Sequence, residues 1–566
     1  MHADEPHSAS ASHPSPVFLV SLAGIAILFI AHVLLLNAVA DDAFITFRYA
    51  RNVSLGHGWV WNVGEPPVEG FTSFLWVILC GLATRLELDV ARTAQAIGIL
   101  ASFGTLACTF RFARRRLGLD APLALIPVCM LVCSGPFATW AGSAMETNLF
   151  GLFVLAAAYH FTGDSRQDDA PGRRVKDDDT RPILVAVLLF LGTLTRPEGF
   201  GVLGIFVVIM ILGRRLPWLV RPPTWRHNLL LLVAYGVPFV AYFAWRYATF
   251  GDYLPNTFHA KTGLSIFIPL RGLLYTGYFL LFYVGPWLPL LLVFRARRRA
   301  RREVWFGRSP LAGDAGDAGP VRSAVVVVLT MLLAYGAYIL AVGGDYMAMY
   351  RFFVPLLPLV YLLIGLAVSR VLADTHSSRP GRRLALVCIG LGFAFTLVHS
   401  TPLDRVIFGR PRAQQGHYAG VMNERYAVTR FAAVGRFFDA YKRGPEEVLA
   451  TKVIGAMGFY ADMKILDMLG ITDRHISRSG RSTKPLGLGF PGHERSDLLY
   501  VARRRPTYVF LELADQRQPL ADPDWGAEAN AILRQEYGVH EARIVVPGRG
   551  DGWLYFLERK REQSRN

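Results

Sequence analysis

The chain has 566 residues, of which 52% are hydrophobic, and its mean hydropathy is +0.32. This length and composition exclude a single soluble domain and indicate a membrane protein. The formal net charge of +17 would favour nucleic acid as the partner of a soluble protein. Much of this charge, however, lies in arginine clusters between apolar segments, which is typical of orientation in a bilayer. We therefore expect anionic membrane lipids as partners and no nucleic acid.

Apolar segments recur along the first 400 residues and predict a polytopic α-helical membrane protein. The first, 17–40, is uncharged over 24 residues, about 36 Å as a helix, and we expect a retained span rather than a cleaved signal peptide. The segment 71–84 is short, and we place it along the membrane interface as an amphipathic helix. About 11 transmembrane helices are predicted: 17–40, 91–110, 121–134, 148–162, 183–194, 200–213, 228–247, 272–294, 323–342, 352–373 and 384–398.

The loops between these segments sort by charge. "RFARRR", "RRLPWLVRPPTWRH", "RARRRARR" and "RPGRR" fall on one face, which the positive-inside rule makes cytoplasmic. The polar motifs "DDAFITFRYARN", "VEGFT", "AGSAMET", "TRPEG", "PNTFHAK" and "GGDYMAMYR" fall on the opposite face. Chemistry on that outer face, away from nucleotides, needs a donor that is already across the bilayer. We therefore expect a bacterial plasma (inner) membrane protein whose active site faces the periplasm or cell exterior.

The short segment 183–194 spans only about 18 Å as a helix, less than the bilayer. If 183–194 and 200–213 are separate helices, "TRPEG" must lie below the outer surface, where Arg196 and Glu198 would face a wet cavity or each other. We expect such a recessed polar vestibule. The alternative is one helix broken at Pro197, which would reverse the side of every later loop.

Composition changes after Ser400, where long apolar runs end and charges scatter. "EEVLATKVIGAMGFY", "KILDMLG" and "TYVFLELAD" predict strands that alternate with short helices, and "ARIVVPGRGDGWLYFLER" predicts a hairpin. The "RGD" in this hairpin is assigned to a turn rather than to an adhesion signal. We expect two domains: a transmembrane catalytic domain, 1–399, and an extracytoplasmic α/β domain, 400–566.

Two adjacent aspartates, Asp41 and Asp42, end the first apolar run. One of them could cap an amphipathic helix that begins at Ala43, but this leaves the other unexplained. Adjacent carboxylates at a low-dielectric boundary repel each other, which raises one pKa and suits a general base. Both the structural and the catalytic interpretation remain open from this motif alone.

Charged residues in the other outer loops are suited to a phosphate leaving group and a sugar. His259, Lys261 and Arg351 can donate to phosphate, with Asp345 beside them, although an interfacial Lys or Arg can also extend to lipid headgroups. Glu69 and Glu146 can accept from sugar hydroxyls, or can serve as helix caps or local ion pairs. No nucleotide fingerprint or metal cluster is present, and the five cysteines form no metal or disulfide pattern. No cofactor other than a lipid-linked donor is predicted, and a divalent metal is left open.

The order of these motifs resembles a known group. A span, an Asp pair, an interfacial helix and a span ending in "RFARRRL" resemble the opening module of GT-C glycosyltransferases. "ADDAFITFRYARNVSLGHGWVWNVGEPPVEGFTS", "SAMET", "TRPEG", "PNTFHAK", "GGDYM" and "GAMGFYADMKILDMLGITD" with "GHE" resemble the terminal β-(1→2) arabinofuranosyltransferase family of mycobacterial cell-wall synthesis. The resemblance covers residues from about 17 to about 510. It departs at "MYRFFVP", at "EPPVEGF" and in a shorter C-terminus, so the sugar and the acceptor stay open.

The resemblance implies an inverting transfer of a sugar from a polyprenyl-phosphate donor to an envelope polysaccharide or glycolipid. Arabinofuranose or a related pentose is the expected sugar, and mannose is an alternative. Asp41 would act as the base and Asp42 would orient the acceptor or polarise Asp41. The family's charged motifs map onto Arg196, Glu198, Lys261 and Asp345. The competing class is a transporter or flippase of lipid-linked sugars, which would place polar residues on broken helices near the midplane.

Overall fold

The computed structural model describes residues 15–163, 180–220, 224–261, 263, 265–290, 319–375, 379–403, 418–482, 486–489, 493–519 and 524–561. Its first three quarters are helical. The helices are α1 Pro16–Leu35, α2 Asp41–Ser54, α3 Phe74–Arg85, α4 Val90–Arg115, α5 Ala121–Val132, α6 Gly135–Ala141, α7 Thr147–Phe161, α8 Thr180–Thr195, α9 Glu198–Arg215, α10 Trp225–Phe250, α11 Asn256–Lys261, α12 Phe267–Phe279, α13 Pro320–Val342, α14 Leu357–Thr375 and α15 Arg379–His399. Helix α12 continues as a π turn, Leu280–Val284, and a 3₁₀ turn, Gly285–Trp287, and another 3₁₀ turn, Arg351–Leu356, leads into α14.

Every predicted apolar crossing is largely helical over its described residues, and residues 291–294 of the crossing 272–294 lie outside them. The helices differ in their capacity to span a bilayer. Within the described residues, seven helices are long and apolar enough, or eight if α5 and α6, which meet at a 67° bend, form one broken span. Helices α3, α7 and α8 are apolar but shorter, and α9 begins and ends on charged residues. The chain is thus a multi-pass membrane protein with seven or eight spans supported by length and composition. The count of 11 and the interfacial placement of α3 stay predictions.

Helices α8 and α9 form a hairpin that places "TRPEG" at its turn. The two helices pack against each other, and a Cβ on Gly199 would lie 2.4 Å from the backbone nitrogen of Thr193. A chain that returns this closely needs glycine at the turn. This contact favours two separate helices over a single broken helix, and Arg196 and Pro197 are the two residues between them.

The last part of the described chain contains a five-stranded mixed sheet with strand order β2-β1-β3-β5-β4. The strands are β1 Val448–Thr451, β2 Lys464–Asp467, β3 Tyr508–Ala514, β4 Tyr537–Val546 and β5 Gly550–Arg559, and the helices are α16 Tyr418–Tyr441, α17 Ala456–Tyr460, α18 Arg474–Ser479, α19 Leu498–Arg503 and α20 Ala527–Glu536. Strand β1 pairs in parallel with β2 and β3, while β5 is antiparallel to β3 and β4. The predicted strands and hairpin are confirmed, and "RGD" lies where the turn enters β5.

Helix α2 is bonded to the sheet region by a buried arginine. Arg48 donates to the carbonyls of Trp61 at 2.9 Å, Gly458 at 2.5 Å and Met463 at 2.8 Å, and to the side chain of Asn62 at 3.0 Å. A guanidinium can satisfy several acceptors at once because its five donors are fixed in a plane. Arg48 thus holds the first loop and the segment after α17 against one helix.

Close helix crossings in the membrane region depend on glycine. A Cβ on Gly272 of α12 would lie 2.2 Å from the carbonyl oxygen of Leu340 on α13. Small residues permit such approaches between membrane helices, where packing rather than hydrophobicity drives association. Nothing lies within 4 Å of the corresponding position on Gly277 of the same helix.

We predict that Gly272→Ala lowers the thermal stability of the protein, because α12 and α13 must separate to admit the methyl group. Overpacking of this kind costs about 1–3 kcal/mol. Gly277→Ala is the matched control and should unfold at the wild-type temperature or slightly above it. The measurement is the unfolding temperature in one detergent, and equal values for the two variants would contradict the predicted crossing.

Candidate functional site

A cavity of about 610 Å³ lies where the polar motifs predicted for one face of the membrane meet. Its lining combines residues from α2, the α8–α9 turn, α11, α12 and the segment 342–352, with Ile471 from the sheet region. Eight charged residues line it, four acidic and four basic: Asp42, Glu146, Glu198, Asp345, Arg196, Lys261, Arg271 and Arg351. Seven of the side chains predicted from sequence therefore surround one space, although they come from positions 42 to 351.

Arg196 lies between two glutamates at one side of the cavity. Its Nη1 is 2.8 Å from Glu146 Oε1, and its Nη2 is 2.7 Å from Glu198 Oε1. All three side chains are buried, with less than a tenth of each exposed. Two carboxylates around one guanidinium give a cluster of net negative charge, and in a low-dielectric site such a cluster accepts hydrogen bonds from hydroxyl groups.

The "GGDYM" motif forms a tight loop after α13. Gly343 and Gly344 have φ of +84° and +70°, which favours glycine, and they turn the chain so that Asp345 reaches the cavity. Asp345 Oδ1 accepts from the N–H of Tyr346 at 2.8 Å, and its Oδ2 lies 2.5 Å from Nε of Arg351. The loop thereby orients Arg351 through its own aspartate.

The two aspartates at the start of α2 have different surroundings. Neither caps α2: the helix begins at Asp41, Ala40 is the N-cap, and no side chain makes the capping bond. Asp41 instead accepts the N–H of Ala456 at 2.9 Å, at the first residue of α17, and it does not line the cavity. Asp42 lines the cavity, and Tyr346 Oη lies 3.4 Å from its Oδ1. The geometry therefore favours Asp42, and not the expected Asp41, as the carboxylate that faces the substrate.

Burial sets the protonation of Asp41. Removal of its carboxylate from water raises the pKa to about 7, against the opposing effect of the bond from Ala456, and the charge of Asp42 raises it further. A cavity filled by an amphipathic ligand would remove more water from the same region. The pair thus consists of one carboxylate held by backbone groups and one presented to the cavity.

Besides Asp41, two predicted site residues lie outside the lining. Glu69 forms a buried bidentate pair with Arg246 of α10, at 2.6 Å and 2.9 Å, and the residues that follow it, 70–73, line the cavity in its place. His259 Nε2 is 3.5 Å from Oδ2 of Asp252. The assignment of Glu69 to hydroxyl binding is thus replaced by the ion pair that the sequence left open, and His259 faces Asp252 rather than the cavity.

Several lining residues were not identified from sequence. Arg271 donates to the carbonyl of Gly343 at 2.9 Å and lies 3.9 Å from Glu494. A single arginine at the beginning of an apolar run is a typical interfacial residue, so nothing in the local pattern singles it out. Tyr335, Tyr338 and Tyr346 line the cavity as well, and of these only Tyr346 lies in a motif that the sequence analysis had noted.

Glu424 of α16 contacts the loop that carries Asp345 and Arg351. Its Oε1 accepts the N–H of Ala348 at 2.8 Å. Burial raises its pKa to about 7, against the effect of that bond, and the charge of Asp345 contributes to the increase. A glutamate inside a long helix carries no functional pattern in sequence. Asp467 accepts from the N–H groups of Leu469 and Thr472, both at 2.8 Å, and caps its own turn.

No group of three or more His, Cys, Asp and Glu side chains with the geometry of a metal site occurs in the described part of the chain. The acidic residues of the cavity are instead paired with arginines or bonded to backbone and hydroxyl groups. The arrangement can therefore bind a ligand that carries both hydroxyls and a negative group through protein side chains.

Comparison with solved structures identifies the architecture. ArnT from Cupriavidus metallidurans bound to undecaprenyl phosphate superposes with a TM-score of 0.56 at 13% identity, over 96% of this chain and 98% of that one. AglB from Archaeoglobus fulgidus, in complex with an inhibitory peptide and a dolichol-phosphate, gives 0.54 at 12% identity, over 95% and 74%. Both are GT-C glycosyltransferases.

The chain has a GT-C fold.

Two curated relatives agree with the resemblance of this GT-C chain to arabinofuranosyltransferases. The terminal β-(1→2)-arabinofuranosyltransferase of Mycobacterium tuberculosis is 28% identical over 379 residues, 63% of this chain and 57% of the relative. The enzyme of the same name from Corynebacterium glutamicum is 28% identical over 361 residues, 59% of this chain and 48% of the relative. The alignments thus cover less than two thirds of either relative. Residues 418–556 match the model of a domain of unknown function, DUF8728.

We predict that Glu69→Gln destabilises the protein by about 3–5 kcal/mol, because it leaves the buried Arg246 charge without a counter-ion. Glu69→Leu combined with Arg246→Met should recover much of this loss, since it removes both charges. The measurement is the unfolding temperature of the purified protein. A Glu69→Gln variant of wild-type stability would return Glu69 to the candidates for ligand binding.

We also predict that Asp41 makes stability depend on pH. A folded-state pKa of about 7, above the ordinary 3.8, means that its contribution is fully present below about pH 4 and is lost as the pH rises through 7. The unfolding temperature of wild type minus that of Asp41→Asn should therefore fall between pH 4 and 7 and then level off.

Asp120→Asn is the control for this comparison, because the Asp120 side chain is 87% exposed. A wild-type curve that stays parallel to that of Asp41→Asn over this pH range would contradict the buried ionisation of Asp41.

Proposed function

We propose that the protein is an inverting glycosyltransferase that moves a sugar from a polyprenyl-phosphate donor to a cell-envelope glycan. One observation carries the proposal: a single cavity combines the carboxylate of Asp42, the cations Lys261 and Arg271, and an apolar wall. A lipid-phosphate-linked sugar needs these three features together, because it joins an apolar chain, an anionic leaving group and an electrophilic carbon.

The apolar wall fits the lipid part of such a donor. It is formed by Ile205 on α9, by Ala334, Tyr338 and Val342 on α13, and by Phe258. Helices α9 and α13 pack against each other, and both belong to the helical part of the fold. Undecaprenyl phosphate and dolichol-phosphate are bound in the ArnT and AglB structures, which supports the same class of lipid here.

The phosphate of the donor fits beside the basic residues. Arg196 and Arg351 are already paired with carboxylates at short distance. Lys261 is exposed, and Arg271 is 3.9 Å from the carboxylate of Glu494, which is too far for a direct hydrogen bond. Lys261 and Arg271 would therefore stabilise the charge that develops on the departing phosphate. Glu146 and Glu198 would accept hydrogen bonds from sugar hydroxyls, and Arg196 would hold both carboxylates in position.

Asp42 is the base in this proposal. It would take the proton of the acceptor hydroxyl while that oxygen attacks the anomeric carbon, and the bond from that carbon to the phosphate oxygen breaks with both electrons leaving on the phosphate. One displacement without a covalent sugar intermediate inverts the anomeric centre. Asp41 would position Asp42 through the bond to Ala456, and Tyr346 would orient the Asp42 carboxylate.

The relatives support the proposed sugar, and the charge pattern supports the proposed membrane and orientation. The names of both curated relatives favour arabinofuranose or a related pentose as the sugar. The arginine-rich loops favour a plasma-membrane protein whose cavity opens to the outer face. In this arrangement residues 1–399 form the catalytic membrane domain and residues 400–566 an extracytoplasmic domain.

We predict that Asp42→Asn lowers kcat by about 10²–10⁴ without loss of expression, because the amide cannot accept the proton. Asp41→Asn is the matched control: its amide oxygen can still accept from Ala456, so turnover should stay within about tenfold of wild type. The assay measures release of free polyprenyl phosphate from a panel of lipid-phosphate sugars in the presence of an oligosaccharide acceptor, with products identified by mass.

Each result of this assay has a distinct meaning. Full activity of Asp42→Asn with loss of activity in Asp41→Asn would assign the base to Asp41. Donor that crosses the membrane without release of polyprenyl phosphate would replace the transferase with a transporter.

A further inference from the structure

A second cleft, of about 560 Å³, lies in the sheet region and has no role in the reaction described above. It opens at the carboxyl ends of the three parallel strands. Lys452 and Val453 directly follow β1, Met468 follows β2, and residues 510–513 form the second half of β3. Open parallel sheets characteristically bind ligands at this edge, where the loops diverge.

The side chains of this cleft combine aromatic faces with charged groups. Tyr426 and Phe431 of α16, Phe510 of β3 and Trp525 before α20 provide the aromatic surface. A size of several hundred Å³ with a few polar groups is typical of a binding site rather than a packing defect. Aromatic rings of this kind pack against the C–H faces of sugar rings, while the polar groups bind hydroxyls.

The charge in the cleft favours a neutral ligand. Arg430 donates to the carbonyl of Leu513 and lies 3.6 Å from Asp515, so its charge is compensated. Lys452 and Glu512 then contribute one positive and one negative charge. An anion would gain little here. The helix N-terminus that follows β1, at Ala456, is already occupied by the Asp41 carboxylate.

The cleft is connected to the catalytic region by a short piece of chain. Val453 lines the cleft, and Gly455 and Ala456 contact Asp41, whose neighbour Asp42 lines the cavity. Two residues of chain span at most about 7 Å. A linear ligand that leaves the cavity past Asp42 would meet this cleft within a few residues of its own length.

We propose that this cleft binds the acceptor glycan several sugar residues away from the hydroxyl that reacts. The inference rests on the proposed function, because it takes the ligand to be the acceptor of that reaction. It would give a role to the part of the chain that matches a domain of unknown function. Acceptor length, rather than the reacting sugar alone, would then contribute to affinity.

The test uses the full-length protein in lipid nanodiscs and fluorescently labelled oligo-arabinofuranosides of about two and about eight residues. The cleft variants are Trp525→Ala and Lys452→Ala. The matched controls lie outside the cleft: Trp553→Ala on β5, and Lys464→Ala at the amino end of β2, where Lys464 pairs with Glu446.

Fluorescence anisotropy should show that the cleft variants bind the long probe at least about tenfold more weakly than wild type, as expected for an aromatic anchor. The controls should bind it normally, and the short probe should bind all five proteins equally. In the transfer assay the cleft variants should raise KM for the long acceptor and leave kcat with the short acceptor unchanged.

The outcomes separate this inference from the proposed function. Equal binding of the long probe by wild type and both cleft variants, or no binding by wild type, overturns the cleft as a glycan site. Length-dependent binding that is lost in the cleft variants, together with no transfer by wild type from any donor of the panel, supports the cleft and overturns the transferase.

Discussion

The hydrogen bond from the Ala456 N–H to the Asp41 carboxylate is the constraint on which the geometry of the cavity depends. It joins the first turn of α2 to the first turn of α17, 415 residues later in the chain. A Cβ on Gly455 would lie 2.2 Å from Asp41 Oδ2, so the contact leaves no space for another residue there. Because adjacent residues of a helix point about 100° apart, holding Asp41 in this direction turns Asp42 towards the cavity.

Compensation of charge is the second principle of the site. Eight charged side chains around one cavity would be costly in a membrane protein unless most of them found partners. The Glu146–Arg196–Glu198 cluster and the Asp345–Arg351 pair provide those partners within protein. Lys261 and Arg271 differ from the other cations of the cavity: among the residues that the structure describes, no carboxylate pairs with Lys261, and Glu494 is 3.9 Å from Arg271. The cavity can bind an anionic group because of these two cations rather than because of its total charge.

The sequence predicted which residues surround the cavity better than it predicted what each of them does there. Motifs in separate loops lie around one cavity because loops at the same end of a helical bundle converge when the helices pack. Glu69 lies in such a motif but pairs with Arg246, since α10 brings an unpredicted buried arginine beside it. Arg271 and Glu424 had no distinguishing pattern, and only their contacts with the loop 343–350 give them significance.

The sequence by itself determined the membrane class, the resemblance to GT-C glycosyltransferases, the strands and hairpin after residue 448, and the set of charged motifs. These features follow from local hydrophobic periodicity, turn residues and motif order, which are properties of short segments. Only the tertiary structure decided which aspartate faces the cavity, that "TRPEG" is the turn of a hairpin, and that α2 is bonded to the sheet region. Each of these depends on atoms that meet across a turn or across hundreds of residues, and such contacts arise from packing rather than from any local pattern.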